Sequence, residues 1–150
     1  MTILSWLFEV PLRTGEEAPD FTVPDETGKP VTLSKWRGIN NVVLIFYPGD
    51  DTGVCTKQLC EFRDSWPAAE KRNTVVFGVN PQSAEKHSRF SAKYQYPFPL
   101  LVDKGQRVAG LYHASGLIVR RTVYLIGKSG RIRYASRGKP AAAEVLQTAE

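Results

Sequence analysis

The sequence predicts an α/β fold in which helices flank a central mixed β-sheet, with a hairpin added on the N-terminal side. Three observations predict it. Residues 41–47 (Asn-Val-Val-Leu-Ile-Phe-Tyr) and 74–79 are continuous apolar, β-branched runs, the pattern of strands buried on both faces. Each run is followed by a stretch with helical spacing. Later, 121–126 and 131–135 are shorter runs joined by Gly127-Lys128-Ser129-Gly130, which reads as a hairpin.

The elements follow in order. Residues 21–23 and 31–33 flank the turn-prone stretch 25–30 and form the added hairpin. The run 41–47, ended by Pro48-Gly49, is expected at the centre of the sheet. From Gly53 the pattern turns helical: Val54, Leu59, Phe62 and Trp66 recur among Lys57, Glu61, Arg63 and Asp64, up to a break at Pro67. After the run 74–79, Pro81 precedes a second helix over 82–94 with Phe90 and Tyr94 on its inner side. Residues 96–99 interrupt the pattern, 100–102 make a short strand, and Asp103-Lys104-Gly105 is a turn. The late hairpin follows, then a closing helix over 141–148 after Pro140. The order βαβα, then ββα, is that of a thioredoxin-like core. With 150 residues and 42% hydrophobic content, a single domain over 1–150 can bury a core without metal or disulfide staples, residues 1–11 being an N-terminal extension.

Composition excludes several classes. No stretch approaches the roughly 20 apolar residues that span a bilayer, and Trp6, Leu7 and Phe8 are cut short by Glu9 and Pro11. Those three aromatic and aliphatic residues are expected either to pack at the chain terminus or to form an oligomer contact. The first ten residues carry no Lys or Arg, unlike a secretory signal, so a soluble, cytoplasmic chain is expected. The net charge of +5 is uneven: between Asp103 and Glu144 stand nine Lys or Arg and no acid. A solvated basic strand pair accounts for Arg131, Arg133, Arg137 and Lys139 without any nucleic-acid partner. Two cysteines in a reducing compartment point to chemistry rather than to a framework disulfide.

Open α/β sheets place their sites beyond the carboxyl ends of central strands. Here Tyr47 leads directly into Pro48-Gly49-Asp50-Asp51-Thr52-Gly53-Val54-Cys55, which sets Cys55 in the first turn of a helix. Free N–H groups and the positive end of the helix dipole stabilise a thiolate there. Thr52 is the expected N-cap, its hydroxyl also able to donate to the sulfur or to an incoming oxygen, and Pro48 is placed to shield the thiolate from water. A buried structural cysteine behind an ordinary cap is the plain alternative.

The spacing Pro-x-x-x-Thr-x-x-Cys, filled by Pro48, Thr52 and Cys55, resembles the active-site signature of the peroxiredoxins. Ala18-Pro19-Asp20-Phe21, Val31-Thr32-Leu33-Ser34, Phe46-Tyr47-Pro48, Phe62-Arg63-Asp64 and Pro97-Phe98-Pro99-Leu100-Leu101 extend the resemblance to the bacterioferritin-comigratory-protein, or peroxiredoxin Q, subfamily over residues 12–149. The resemblance implies a thiol peroxidase that needs no metal or haem. Cys55 would attack a hydroperoxide and become a sulfenic acid. Cys60, in Cys-Thr-Lys-Gln-Leu-Cys, would resolve it as an intramolecular disulfide, and thioredoxin or a similar dithiol would reset the pair. It also implies an arginine over the thiolate. Arg121 fits best and Arg120 competes, since neighbours on a strand point to opposite faces. Gly53 and Gly127 depart from the subfamily pattern, where Pro and Asp are common, without touching Pro48, Thr52 or Cys55. A monomer is expected over a dimer.

Other readings fit less well. A disulfide reductase wants Cys-x-x-Cys and a proline before the strand facing it, whereas the spacing here is Cys-x4-Cys and no Pro lies between Pro99 and Pro140. His87 and His113 lack the close pairing of a zinc site and are expected at the surface or in packing. Asp50-Asp51 reads as a solvated loop pair, and a basic binding module with incidental cysteines is the reading outside enzymology.

Overall fold

The computed structural model describes residues 9–150, so the expected packing of Trp6, Leu7 and Phe8 lies outside the described residues. A short antiparallel hairpin, β1 (Thr22–Pro24) and β2 (Pro30–Thr32), precedes a five-stranded sheet. Strand β3 (Asn41–Phe46) is its centre, parallel to β4 (Thr74–Asn80) and antiparallel to β6 (Thr122–Ile126). Strand β5 (Leu100–Val102) pairs with β4 in parallel, and β7 (Ile132–Arg137) pairs with β6 in antiparallel fashion, giving the order β5-β4-β3-β6-β7. The mixed sheet and the N-terminal hairpin are those the sequence predicts.

Alternation along the central strands builds two cores. Val42, Leu44 and Phe46 face a layer closed by Phe21, Val23, Leu33 and Tyr112, while Val43, Ile45 and Tyr47 face one closed by Leu59, Phe62, Phe90, Phe98 and Val145. The second layer holds Cys55. On β6 the same period sends Tyr124 and Ile126 to the first layer and Val123 and Leu125 to the second. Each Leu, Ile or Phe so buried contributes about 1.5–3 kcal/mol, which is why polar alternation is absent from these strands.

The helices depart from expectation in informative ways. Helix α1 (Gly53–Asp64) ends at Ser65 rather than at a break made by Pro67, which instead occupies the first turn of α2 (Trp66–Lys71), where its missing N–H costs nothing. Helix α3 (Ala84–Tyr94) starts two residues later than expected, because Ser83 caps it by accepting from the Lys86 N–H. Helix α4 (Arg107–Leu111) follows the expected turn at 103–105, in a stretch for which the sequence predicts no element. Its N-terminal groups are satisfied from outside the helix: the buried Asp103 carboxylate accepts from Val108 N at 2.8 Å and Ala109 N at 2.9 Å. Helix α5 (Ala142–Leu146) closes the chain.

The basic strand pair is more than a solvated face. Arg137 donates to the carbonyls of His113 and Glu9 and to the Thr122 hydroxyl, and Arg131 donates to Gly15 O, so these side chains tie the N-terminal segment to β6 and β7. Packing within the sheet is tight at Gly78, on the strand between β3 and β5. A Cβ there would lie 2.8 Å from Leu100 Cδ2 and 3.1 Å from Tyr47 Cε1. Gly78→Ala is expected to destabilise the fold by about 1–3 kcal/mol through overpacking, read as a lower urea midpoint at unchanged slope.

Candidate active site

The site forms where β3 leaves the sheet. Tyr47 is buried, Pro48 is half-buried at the strand end, and the loop passes through Asp51 in the left-handed region (φ 59°) before α1 begins. The first helical hydrogen bond runs from Thr56 N to Thr52 O, so the N–H groups of Gly53, Val54 and Cys55 have no acceptor within α1. They and the helix dipole point positive charge at the first turn. Cys55 lies there with its side chain on the sheet side, 1% exposed, whereas its neighbour Val54 is 46% exposed. The sulfur is thus buried under an N-terminal turn that itself meets solvent.

Arg121, immediately before β6, donates from Nη2 to Cys55 Sγ at 3.3 Å. Its odd position puts it on the same face as Val123 and Leu125. Arg120 points the other way and donates to the carbonyls of Ser115, His113 and Glu9. The structure thereby brings Arg121, and not Arg120, to the sulfur. Thr52 holds the N-cap position with extended backbone (φ −91°, ψ 149°), but its side chain makes no cap bond; the hydroxyl is directed to Gly49 O at 3.5 Å, a weak contact from which it can turn to another acceptor. The expected side-chain cap is therefore corrected to a loop contact.

Cys60 does not sit beside Cys55. Both thiols are free and lie on one continuous helix, where five residues at 1.5 Å and 100° each separate the Cα atoms by roughly 8–9 Å and about 140° around the axis. Cys60 Sγ lies 3.6 Å from Tyr96 Oη. The protein brings Cys55 and Arg121 together and keeps Cys60 apart.

Two features escaped the sequence reading. Gln58, one helical turn after Cys55, is buried and accepts from Arg121 Nη1 at 2.9 Å, while its own amide nitrogen has no hydrogen-bond partner. Its i, i+3 spacing from Cys55 was the available signal. Asp50 is the second, and it is a correction: its side chain is only 5% exposed, not solvated. It accepts from Tyr47 Oη at 2.7 Å and Asn80 Nδ2 at 3.0 Å, and its other oxygen lies 2.5 Å from His87 Nδ1. The opposite ring nitrogen, Nε2, faces the Leu101 carbonyl at 2.9 Å and can only donate there, which leaves Nδ1 to the Asp50 carboxylate. Burial, and then the Asp50 charge, push the Tyr47 hydroxyl well above its ordinary pKa, which keeps it a donor. This network pins the loop between β3 and α1. His113 lies elsewhere, against Val10 O.

Chemically, the arrangement is a buried thiol sulfur facing the Arg121 guanidinium and helix N–H groups left open by α1, with a second thiol further along the same helix. Such a centre can stabilise negative charge on sulfur and on an oxygen brought beside it. No group of three His, Cys, Asp or Glu among the described residues is arranged to hold a metal ion.

Comparison with known proteins gives a consistent result. The AhpC/TSA family model matches residues 14–135. Peroxiredoxin Bcp of Bacillus subtilis is 36% identical over 149 residues, covering 91% of this chain and 94% of the relative. The chloroplastic peroxiredoxin Q of Sedum lineare is 40% identical over 123 residues, covering 79% of this chain and 66% of the relative. The chain spans between 57% and 66% of the length of the chloroplastic relatives that it matches. Among solved structures, peroxidoxin BcpB of Mycobacterium tuberculosis superposes with a TM-score of 0.86 at 29% identity, covering 91% of this chain and 96% of that one.

Proposed function

The chain belongs to the AhpC/TSA family, among the Bcp and peroxiredoxin Q peroxiredoxins, and from that premise we propose that it is a thiol peroxidase that reduces hydroperoxides with Cys55. The contact of Arg121 Nη2 with Cys55 Sγ at the open first turn of α1 is the observation that carries this reading.

In the proposed reaction the Cys55 thiolate attacks the terminal oxygen of ROOH. The S–O bond forms as the O–O bond breaks, and the departing alkoxide takes a proton to leave as ROH, or as water from hydrogen peroxide. Negative charge moves from sulfur toward the leaving oxygen. Arg121, the free N–H groups of α1 and the Thr52 hydroxyl supply donors on both atoms, while Pro48 and the second core layer exclude water from the sulfur. Gln58 holds the guanidinium at its other end.

The product is a sulfenic acid on Cys55. Cys60 then forms an S–S bond to it as the sulfenic hydroxyl takes the thiol proton and leaves as water, so over both steps the pair of thiols has given two electrons to the hydroperoxide. A disulfide does not close beyond a Cα separation of about 7 Å, so α1 has to unwind between the two cysteines first. A dithiol of the thioredoxin type returns the pair to its reduced form. A centre that must be reset in each cycle supports a reducing compartment, the cytoplasm, as its place of action. Among the described residues no helix is long and apolar enough to cross a membrane. We take the working unit to be the monomer, since Cys55, Arg121, Gln58 and Cys60 all come from one chain.

The test is peroxide consumption with thioredoxin, its reductase and a nicotinamide reductant. Catalytic consumption of both hydrogen peroxide and an organic hydroperoxide is expected. Given a single equivalent of peroxide, Cys60→Ser is expected to stall as the Cys55 sulfenic acid, with thioredoxin-supported turnover lost by at least roughly tenfold unless a small thiol is added. Sustained thioredoxin-dependent turnover by Cys60→Ser would remove Cys60 from the cycle.

A further inference from the structure

The segment that must unwind is gripped from one side by the end of α3. Tyr94 donates to Asp51 Oδ1 at 2.8 Å and Lys93 pairs with Asp51 Oδ2 at 2.9 Å, which fastens the loop ahead of Cys55. Arg63, one turn after Cys60, donates to the Tyr94 carbonyl at 2.8 Å. Gln95 takes the left-handed conformation (φ 55°), and this turn carries Tyr96 back beneath α1, where its hydroxyl meets Cys60 Sγ. Tyr96 has little freedom of its own. It is 7% exposed, stacked on Phe98 at 5.3 Å and on Tyr94 at 5.9 Å, and set edge-on to Phe90 at 5.1 Å.

We propose that Tyr96 is a positioning residue for Cys60: its hydroxyl latches the thiol on the side of α1 turned away from Cys55, and breaking that contact governs how fast the Cys55 sulfenic acid is resolved. This inference rests on the peroxidase reading given above. Burial, and then the bond to Cys60, hold the Tyr96 hydroxyl above its ordinary pKa, so it remains neutral and can donate to the sulfur or accept from the thiol. The consequence is a competition. While Cys60 stays latched, a second hydroperoxide can transfer an oxygen to the sulfenic acid, giving a sulfinic acid on Cys55 and ROH, a product that Cys60 no longer resolves. Release of Cys60 instead leads to the disulfide and water. The strength of the latch therefore sets the partition between the two products, and the ring cluster around Tyr96 fixes where the hydroxyl stands.

Tyr96→Phe keeps the ring stack and removes the hydroxyl alone. Losing one such hydrogen bond is expected to lower the ratio of Cys55 sulfinate to Cys55–Cys60 disulfide, measured by intact mass at a fixed excess of hydrogen peroxide, by roughly two- to tenfold. In the reduced protein, amide hydrogen exchange over residues 54–61 is expected to speed up by a similar factor. The same substitution in a Cys60→Ala background should leave exchange unchanged, since there the bond is already gone. An unchanged or higher sulfinate ratio would overturn the latch. So would equal acceleration of exchange in both backgrounds, which would assign the effect to ring packing. The exchange arm needs no peroxide, so a chain that fails to consume peroxide would refute the peroxidase reading while exchange still decides whether Tyr96 holds Cys60.

Discussion

Cys55→Ser is expected to abolish peroxide turnover, with a loss of at least roughly three orders of magnitude in a peroxidase assay at neutral pH. The size follows from what surrounds the sulfur. Arg121 and the free N–H groups at the start of α1 are donors, and the oxygen of Gln58 is already engaged by the guanidinium. Such a shell stabilises an anion but offers no base that could take a proton from a serine hydroxyl. A thiol ionises far more readily than an alcohol, so this environment suits sulfur alone. The fold should survive the change, because Ser fills the same small space, and an unchanged far-ultraviolet circular dichroism spectrum is the control. A Cys55→Ser variant retaining a tenth of wild-type turnover would show that the sulfur is not the nucleophile.

The second large effect separates two neighbouring arginines. Arg121→Ala is expected to slow the reaction of Cys55 with hydrogen peroxide by about 10²–10³, the usual consequence of losing a preorganised donor at developing negative charge. Arg120→Ala is expected to stay within roughly tenfold of wild type and to show its effect as lost stability instead, because Arg120 ties Glu9, His113 and Ser115 together through their carbonyls. Stopped-flow fluorescence, or competition against a reference peroxidase, reads the first quantity and urea unfolding the second. Equal rate losses in the two variants would mean that the guanidinium at 3.3 Å does not act on the reacting sulfur.

Much of this geometry could be read from the chain because it follows from short-range rules. Apolar runs without polar alternation identified β3 and β4 as buried strands, and parity along β6 meant that only one of Arg120 and Arg121 could reach the sulfur, the family resemblance favouring Arg121. The Pro48, Thr52 and Cys55 spacing fell on a strand end and a first helical turn, where the structure places it. What escaped depends on contacts distant in sequence. Asp50 belongs to a buried network only because β4 and α3 bring Asn80 and His87 to it, 30 and 37 residues on; adjacent aspartates alone look solvated. Helix α4 has five residues, too few to declare a period, and is stabilised by a carboxylate lying ahead of it rather than by a residue at its own first position. Thr52 illustrates the converse. Its type suits a cap, yet its hydroxyl turns to the Gly49 carbonyl and makes no bond to the helix N–H groups. Tyr96 gave no signal at all, since only the left-handed turn at Gln95 carries its hydroxyl to Cys60.

The central claim is that one chain holds both the attacking and the resolving sulfur, on a helix that must open for them to meet. Oxidation of the reduced protein with one equivalent of hydrogen peroxide, followed by non-reducing peptide mapping and intact mass, tests it most directly. The account predicts a monomer lighter by two hydrogens, with a single cross-link between Cys55 and Cys60, and loss of hydrogen-exchange protection over residues 54–61. Disulfides found only between chains, or a Cys55–Cys60 bond formed with protection of that segment unchanged, would contradict it.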